Sequence, residues 1–446
     1  MSIEKLITNI KDKKAKVAVI GLGYVGLPLA VLFADTGFSV IGIDKNTEKI
    51  SEINQGVSPI TGKEPGLEVL LKKVILSKKL IAASDFTLLH EADVVLIAVE
   101  TPVNDIHQPD YRSLEQALNT LGPVMKEGAL LIVESTLAPG TMQNLVLPTL
   151  EKSSFKKHNH EFFLGHCPER VMPGKLLENL RNMHRVVGGG SPQICKAMIA
   201  LYRTIVNADL DVVDWITAEL VKTTENAYRD VQIAFANEVA LICDKVGADV
   251  WQVRELVNKS PQRNMHFPGA GVGGHCIPKD PWLLYNSALG AGANPQLIVA
   301  ARAINDSMPM HIIELLETAL KENGTMLDGA RVLVLGYAYL TNSDDVRNSP
   351  SAALVDAINK KGAEVRIHDP YVVEFQGDII SMSKDIDAII LMTAHEEYYG
   401  LNLNDLAKTM RSLIIIDGRN CIEQKNAQLA GFSLRIIGNG GKNKSL

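Results

Sequence analysis

The N-terminal part of the chain alternates between short apolar runs and segments whose apolar positions recur at helical spacing. Residues 27–36 have the helical spacing, Gly37 ends that segment, and apolar runs flank it on both sides. Strands are predicted at 17–20, 39–43, 94–99, 130–133 and 162–165. Because this alternation is typical of an open parallel sheet covered by helices, we predict a Rossmann-like domain over residues 1–208.

Helical spacing dominates the middle of the chain. Asp214 is a candidate N-cap and Gly247 a candidate stop for one long helix, broken at most once. Its apolar positions, which include Phe235 and Ile242, make it apolar enough to be buried. This apolar stripe also predicts a homodimer or higher homo-oligomer formed through the middle region.

The remaining pattern completes a three-part chain. A glycine-rich loop at 269–274 and a second helical stretch at 296–321 complete an all-helical central domain, predicted over residues 209–325. Strands then recur at 332–335, 365–368, 388–392 and 413–416, with Ser349 and Pro350 opening a helix between the first two. The predicted fold is therefore α/β, with two Rossmann-like doubly wound domains joined by the helical one. The third domain spans 326–446, and its polar tail from residue 438 is expected to be frayed.

Composition narrows the class of protein. The chain has 446 residues, and 45 Lys and Arg against 51 Asp and Glu give a net charge of -6, which excludes nucleic-acid binding. Five cysteines without a CxxC pair indicate a reducing compartment, and the histidines and cysteine at 158–167 lack a common zinc spacing, so no metal is expected. No stretch reaches the roughly 18 uncharged apolar residues of a membrane span, and the N-terminus lacks a leader pattern. We expect a soluble, cytoplasmic protein that does not bind membranes.

A dinucleotide fingerprint lies at the first predicted strand-to-helix turn. Gly21, Gly23 and Gly26 form GxGxxG, and Asp44 ends the following strand. The glycines permit a tight turn, a close approach of a pyrophosphate and close helix packing, while the helix N-terminus attracts phosphates. Asp44 can accept hydrogen bonds from ribose hydroxyls and would repel a 2′-phosphate. NAD is therefore favoured, although two nearby lysines leave NADP open.

Cys276 is the candidate nucleophile. It follows the glycine-rich loop, whose glycines would let another molecule approach the backbone, and His275, Lys279 and Asp280 surround it with charge that favours a thiolate. Cys167 is the rival. It stands at a strand end, where the acid two residues later is the more useful group.

Other candidate side chains share a helix face or a sheet edge. Lys222, Asn226 and Arg229 lie at i, i+4 and i+7 on the long helix, and a lysine in a dry cleft can act as a base or bind an oxyanion. Thr101 and Thr136 follow predicted strands, at the edge where doubly wound sheets bind ligands.

Taken together, the sequence resembles the UDP-glucose/GDP-mannose dehydrogenase family over nearly its whole length. The likeness is carried by GLGYVGLP from Gly21, EST from Glu134, CPERVMPG from Cys167, KTTENAYRDVQIAFANE from Lys222, GVGGHCIPKDPW from Gly271 and DDVRNSP from Asp344. The resemblance implies that NAD oxidises the sixth-carbon hydroxyl of a nucleotide sugar to the uronate in two steps, through a thiohemiacetal and a thioester on Cys276. The motifs are most similar to the branch that acts on UDP-N-acetyl-D-mannosamine.

The resemblance also implies roles for individual residues. The catalytic set is Cys276, Lys222, Glu169, Asn226, Asp280 and Thr136. The NAD-binding set is Gly21, Gly23, Tyr24, Val25, Gly26, Asp44, Lys49, Thr101, Thr136 and Arg347. The substrate-binding set is Arg170, Val171, Lys222, Asn226, Arg229, Arg263, Gly273, Tyr339 and Arg419.

Three positions depart from the family pattern. Leu340 stands where the family has a lysine, and Lys279 replaces an apolar residue common in the N-acetylmannosamine branch. The family's substrate-binding arginine, which a partner subunit offers in trans, is displaced here: Gln262 stands in its place and Arg263 is next to it. These departures leave UDP-N-acetylglucosamine and UDP-glucose as alternative substrates. Two alternatives lie outside the family. A single-step hydroxy-acid dehydrogenase would use a Lys-Asn pair, but it gives Cys276 no role. A nucleotide-sensing regulator would not need Cys276, Lys222 and Glu169 together.

Overall fold

The computed structural model describes residues 1–60, 62 and 64–441, which form two compact units. The first unit contains Met1–Glu225 and Trp282–Asn294, and the second contains Asn226–Pro281 and the described chain from Pro295 onward. One unit boundary therefore falls inside a helix. The division into three domains at 208 and 325 stays a prediction.

The described residues form strands and helices in the order expected for α/β units. The strands are β1 Lys16–Ile20, β2 Ser39–Ile43, β3 Leu80–Ala83, β4 Val94–Ile97, β5 Ala129–Val133, β6 Phe162–His166, β7 Arg185–Gly189, β8 Leu210–Val213, β9 Arg331–Leu335, β10 Glu364–His368, β11 Ala388–Leu391, β12 Ile414–Asp417 and β13 Ser433–Ile436. The helices of the first unit and its boundary are α1 Ile3–Lys11, α2 Gly26–Asp35, α3 Thr47–Asn54, α4 Leu67–Leu76, α5 Arg112–Leu121, α6 Leu147–Ser154, α7 Leu176–Asn182, α8 Pro192–Tyr202 and α9 Trp215–Val246. The helices that follow are α10 Val250–Asn258, α11 Asp280–Gly290, α12 Leu297–Glu322, α13 Pro350–Lys360, α14 Ile379–Met382, α15 Leu403–Thr409 and α16 Gln424–Leu429.

The first unit is built on a sheet of eight strands among its described residues, in the order β3-β2-β1-β4-β5-β6-β7-β8. Val17 and Val19 of β1 face one hydrophobic core, while Ala18 and Ile20 face the other, because successive side chains point to opposite faces of a sheet. Strand order reverses between β1 and β4, so the crevice at their carboxyl ends is the place where this fold binds ligands.

The sheet is not wholly parallel, in contrast to the prediction. Strand β7 pairs with β6 in the antiparallel sense, and β8 then runs parallel to β7. The sequence analysis overlooked β3, β7 and β8. Two of these are the edge strands β3 and β8. Asp211 interrupts the apolar pattern of β8, whereas β3 is a run of four apolar residues for which no strand was predicted.

The long central helix is a single helix of 32 residues, α9. Its N-cap is as predicted, because Asp214 Oδ1 accepts a hydrogen bond from Thr217 N at 2.7 Å. The prediction that the apolar stripe is buried is wrong: Phe235 is 58% exposed and Ile242 is 53% exposed. The buried face of this segment carries small residues such as Ala236 and Ala240 instead.

The second unit contains a parallel sheet with the described strand order β10-β9-β11-β12-β13. Alternate residues of β9 again face two separate cores. The predicted fold class is therefore confirmed: two doubly wound sheets and a helical middle region. Within the described residues, no helix combines the length and apolar character needed to cross a membrane.

The end of the described chain is packed rather than frayed. Gly438 donates its backbone N–H to Asp244 Oδ2 at 3.1 Å, and residues 438–440 are buried. A side chain at Gly440 would collide with the carbonyl oxygen of Cys243. The prediction of a frayed tail is therefore wrong for 438–440, and its remaining part at 442–446 lies outside the described residues.

Candidate functional site

The turn between β1 and α2 has the geometry of a dinucleotide cradle. Gly21 has φ of +89° and donates its N–H to Ile43 O at 2.8 Å. A Cβ at Gly26 would collide with the Gly21 carbonyl, so close packing of helix on turn requires glycine there. Gly23 faces open space, and it lines a cavity together with Gly21, Asp44 and Lys49. The cavity leaves the backbone of the turn accessible to a pyrophosphate.

Asp44 is held as an ionised acceptor at the floor of this cavity. Its carboxylate accepts hydrogen bonds from Leu22 N at 2.9 Å and Asn46 N at 3.0 Å, and Lys49 Nζ lies at 3.3 Å. Burial raises the pKa of Asp44, but these N–H groups and the Lys49 charge outweigh it and bring the pKa below its usual value. A carboxylate in this position fits ribose hydroxyls and disfavours a 2′-phosphate.

Hydroxyl side chains follow the carboxyl ends of β4 and β5, and residues 98–100, which follow β4, line the cavity. Thr101 Oγ1 donates to the carbonyl oxygen of Thr136 at 2.7 Å, and Ser135 Oγ donates to Val99 O at 2.5 Å. These bonds tie the two strand ends together. Thr101 and Thr136 are both buried.

A fully buried ionic cluster underlies this strand end. The Glu134 carboxylate accepts hydrogen bonds from the Arg185 guanidinium and from the Tyr202 hydroxyl. Arg185 also donates to the carbonyl oxygen of Cys167 at 3.2 Å and stacks over the Tyr202 ring at 4.6 Å. One guanidinium thus joins the segment that leads to Thr136 with the segment that leads to Glu169. The sequence analysis missed Arg185, whose only signal is a charged residue at the start of an otherwise apolar strand.

Lys222 and Glu169 form a buried pair in the first unit. Lys222 Nζ lies 3.6 Å from Glu169 Oε1, and their side chains are 7% and 9% exposed. The other Glu169 oxygen accepts from Val171 N at 2.6 Å. The carboxylate is therefore fixed in orientation with one face toward the lysine, an arrangement suited to exchanging a proton.

Arg170, predicted to bind substrate, is engaged with a neighbouring acid. Its Nε donates to Glu225 Oε2 at 3.0 Å, a second nitrogen donates to the same carboxylate, and its NH1 donates to His184 O at 2.7 Å. A substrate anion at Arg170 would have to compete with Glu225.

Glu219 is a buried acid that the sequence analysis did not single out. It lies on α9 one turn before Lys222, and its carboxylate accepts from Gly140 N at 2.6 Å and Met142 N at 2.7 Å. Burial raises the pKa of Glu219 to about 7, although these N–H groups act in the opposite direction. Folding therefore favours the protonated form of Glu219.

Stability is expected to fall as pH rises through the titration of Glu219. The folded pKa lies above the ordinary value, so the stabilisation is complete below about pH 4.3 and is lost as pH passes about 7, an effect of about 3 kcal/mol. We expect Glu219→Gln to flatten this part of the profile, measured as the thermal midpoint between pH 4.5 and 8. Parallel profiles for the two proteins would contradict the assignment.

Cys276 differs from the other cysteines in exposure. None of the five cysteines forms a disulfide: Cys167, Cys195, Cys243 and Cys421 are buried, and Cys276 is partly exposed. Burial raises the pKa of Cys167 to about 12, and burial likewise raises that of Cys421 to about 12. Thiols held in this way are inert at neutral pH, so the rival nucleophile Cys167 is unsuited to the role.

Three polar side chains of the second unit form a cluster: Lys279 and Asp280, which closely follow Cys276 in the sequence, and Asn226. Asn226 Nδ2 donates to Asp280 Oδ2 at 2.6 Å, and Lys279 Nζ lies 3.2 Å from Asp280 Oδ1. Asp280 is fully buried at the start of α11, and its N–H bonds to the Cys276 carbonyl at 2.8 Å. Lys279, which replaces an apolar residue, therefore brings an ammonium group to the Asp280 carboxylate, which Asn226 also orients.

The glycine-rich loop is filled by the chain itself, which corrects the expectation that its glycines leave room for another molecule. Cβ atoms at Gly273 or Gly274 would collide with Tyr339, and one at Gly271 would meet Pro350. The Arg419 guanidinium occupies the corresponding space at Gly269. Two predicted substrate-binding residues, Tyr339 and Arg419, thus lie directly against the loop that precedes Cys276.

The remaining predicted residues are placed as follows. Arg347 forms a two-bond pair with Asp345, with distances of 2.8 and 2.6 Å. Arg229 and Arg263 are exposed, and Arg263 donates to Pro261 O at 3.2 Å. Tyr24 and Val25 are partly buried at the start of α2. Among the described residues, no group of three or more His, Cys, Asp or Glu is arranged to hold a metal ion.

Comparison with known proteins identifies the family. Residues 15–206 match the NAD-binding domain of the UDP-glucose/GDP-mannose dehydrogenase family, residues 216–307 match its central domain, and residues 333–424 match its UDP-binding domain. The chain belongs to this family. The predicted family is therefore confirmed, and the chain is an NAD-dependent nucleotide-sugar dehydrogenase.

The chain is similar over its full length to named nucleotide-sugar dehydrogenases. A UDP-N-acetyl-D-mannosamine dehydrogenase of Pyrococcus horikoshii is 40% identical over 95% of this chain and 99% of its own. A solved structure of a UDP-D-ManNAc dehydrogenase from Pyrococcus horikoshii is 40% identical, with a TM-score of 0.90 over 96% and 100% of the two chains. The structure of an NDP-N-acetyl-D-galactosaminuronic acid dehydrogenase from Methanosarcina mazei Go1 is 36% identical, with a TM-score of 0.87 and complete coverage of both chains.

Proposed function

We propose that this dehydrogenase oxidises the sixth-carbon hydroxyl of UDP-N-acetyl-D-mannosamine to the uronate in two steps, by way of a Cys276 thiohemiacetal and thioester. The observation that carries the proposal is the exposure of Cys276 on its loop while the other four cysteines are buried. The full-length similarity to a UDP-N-acetyl-D-mannosamine dehydrogenase supports the choice of sugar.

The first unit supplies residues that fit NAD. The open backbone at Gly23 and the ionised Asp44 would hold the pyrophosphate and a ribose, and Thr101 and Thr136 would border the reactive end. When bound, NAD accepts a hydride in each of the two oxidations. Arg347 is proposed as a further contact to it.

Lys222 and Glu169 are proposed to manage the proton of the first oxidation. Lys222 takes up the proton of the bound hydroxyl, and Glu169 at 3.6 Å balances the charge that the lysine then carries. Because both side chains are nearly excluded from water, their interactions with a developing alkoxide are strengthened. Asn226, four residues after Lys222 on α9, adds a hydrogen bond to the same oxygen.

Cys276 is proposed to carry the second oxidation. Its sulfur forms a bond to the aldehyde carbon, and the carbonyl oxygen takes up a proton to give the thiohemiacetal. Loss of the remaining hydride from that carbon and of the hydroxyl proton leaves the thioester. Water then adds to the thioester carbon, the carbon-sulfur bond breaks, the sulfur regains its proton and the uronate leaves. Glu169 and Asp280 are the proposed groups that orient this water.

Nine residues are proposed to bind the substrate. Arg170, Val171 and Arg229 are proposed to contact the sugar together with Lys222 and Asn226. Tyr339, Gly273 and Arg263 are also proposed to bind the substrate, and Arg419, which lies against the glycine-rich loop, is proposed to bind the phosphates of the UDP part.

The test is an NADH-production assay with UDP-N-acetylmannosamine, UDP-N-acetylglucosamine, UDP-N-acetylgalactosamine and UDP-glucose. The expected result is two NADH per molecule of UDP-N-acetylmannosamine and the highest kcat/KM for that sugar. A preference for another sugar would move the chain to a different branch. One NADH per sugar would refute the thioester route and favour a single-step dehydrogenase.

We also propose that the chain forms a homodimer or higher homo-oligomer through α9. Tyr228, Phe235 and Ile242 recur every seven residues on this helix and are 62%, 58% and 53% exposed. A row of large apolar side chains on one face is typical of a surface covered by a partner. A second copy of the chain is the proposed partner.

Phe235→Glu is expected to shift the assembly toward monomer, because a carboxylate would be buried at the centre of the apolar row. Sedimentation velocity at micromolar concentration measures the change. A matched control is Phe155→Glu, at an apolar side chain that is 93% exposed outside this helix. A wild-type protein that sediments as a monomer would refute the proposal.

A further inference from the structure

Two asparagine side chains hold the two ends of the loop that precedes Cys276. At the first end, Asn237 Oδ1 accepts the backbone N–H of Gly269 at 2.8 Å. Asn237 is completely buried on α9. A buried N–H without a partner is costly, so this bond fixes where the loop begins.

Asn237 is itself fixed by a buried polar chain between α9 and α12. Its Nδ2 donates to Asn305 Oδ1 at 2.8 Å, and Asn305 Nδ2 donates to Asp230 Oδ1 at 2.8 Å. Arg302 NH1 completes the chain by donating to the same Asp230 oxygen at 2.6 Å. With both ends of its amide engaged, Asn237 cannot rotate without breaking a bond.

Asn348 holds the other end of the loop. Its Nδ2 donates to the carbonyl oxygen of Gly274 at 3.0 Å, and Gly274 N donates to Arg347 O at 2.9 Å. Asn348 has φ of +49°, a left-handed conformation that asparagine tolerates better than most residues. Gly274, two residues before Cys276, is therefore hydrogen-bonded through both its N–H and its carbonyl oxygen.

We propose that Asn237 and Asn348 are positioning residues that hold the Cys276 sulfur ready for the aldehyde. This inference rests on the proposed function. An aldehyde that is not captured at once can leave the site, so a preset nucleophile favours the second oxidation over release. Neither asparagine contacts the substrate in this account; both act through the backbone of the loop.

Asn348→Gly is the sharper test, because glycine accepts the left-handed conformation without strain while the amide donor is removed; the added backbone freedom is matched in the control. We expect the rate constant for alkylation of Cys276 by iodoacetamide to rise about fivefold, the scale of one neutral hydrogen bond. We also expect NADH per sugar to fall below two, with the aldehyde trapped as an oxime by added hydroxylamine. Both readouts report on the loop rather than on overall folding.

Asn342→Gly is the matched control. Asn342 is also left-handed, with φ of +57°, and lies six residues earlier in the same segment, but its side chain accepts from Glu396 N at 3.1 Å instead. The control should keep the wild-type alkylation rate and two NADH per sugar. Asn237→Leu should also loosen the loop. It leaves the Asn305 amide without its hydrogen-bond partner, however, and the variant could fail to fold, so Asn348→Gly is the deciding test.

The outcomes separate this inference from the proposed function. If Cys276 is alkylated no faster in Asn348→Gly than in Asn342→Gly, the positioning role is overturned. A wild-type protein that yields no NADH from any of the four UDP-sugars would refute the proposed function, whereas the alkylation comparison would still measure the hold on the loop.

Discussion

Cys276→Ser is expected to stop uronate formation, lowering its rate by several orders of magnitude, as when a covalent nucleophile is removed from an enzyme. Serine has nearly the same size, but its hydroxyl is far less acidic than a thiol and would not form a thioester. The first oxidation does not require the sulfur, so a slow formation of aldehyde is expected to remain. Product analysis by mass spectrometry after a single turnover distinguishes aldehyde from uronate.

Binding of NADH by the Cys276→Ser protein, followed by its fluorescence, is the control for folding and should match wild type. Cys421→Ser provides a second control, because Cys421 is a buried thiol of the same unit whose pKa burial raises to about 12. That variant should retain two NADH per sugar. Full uronate production by Cys276→Ser would disprove the covalent route.

Arg185→Met is expected to cost about 3–5 kcal/mol of unfolding free energy, the range for a buried ion pair that loses one partner. The Arg185 side chain is 3% exposed and that of Glu134 is not exposed, so the remaining carboxylate would be neither paired nor hydrated. Loss of the guanidinium also frees the Cys167 carbonyl, so the segments around Thr136 and Glu169 should loosen. Urea unfolding measures the free energy.

The double variant Arg185→Met, Glu134→Gln isolates the charge effect. The neutral amide can still accept from the Tyr202 hydroxyl, and no unpaired charge stays buried, so most of the lost stability should return. If the double variant were as unstable as Arg185→Met alone, lost packing rather than an unpaired charge would be the cause.

Features set by local sequence could be predicted well. The turn at Gly21, Gly23 and Gly26 was predictable because the three glycines recur at fixed spacing within one βαβ unit: Gly21 and Gly26 are required by close packing, and Gly23 leaves the backbone open. The N-cap at Asp214 and the long helix followed from cap chemistry and from spacing. The family membership followed from motifs spread along the whole chain.

Features set by distant contacts could not be predicted. The partners of Arg185 lie on three other segments of the chain, and no local pattern links Glu134 with Tyr202. The side chains that fill the glycine-rich loop come from residues far along the chain, so its glycines suggested open space where Tyr339 and Pro350 lie. Phe235 and Ile242 have a periodicity that buried and partner-covered faces share, and one sequence does not distinguish the two.

The contacts of α9 with α12 also define the alignment of the two helices. Asp230, Asn237 and Asp244 recur every seven residues, and their partners on α12 are Arg302, Asn305 and His311, with His311 Nε2 2.8 Å from Asp244. Two apolar helices can slide by a turn and repack, but here a slip would leave three polar groups unpaired at once. The helix pair therefore accepts a single register. Since Asn237 also bonds Gly269, that register is transmitted to the chain leading to the reactive sulfur.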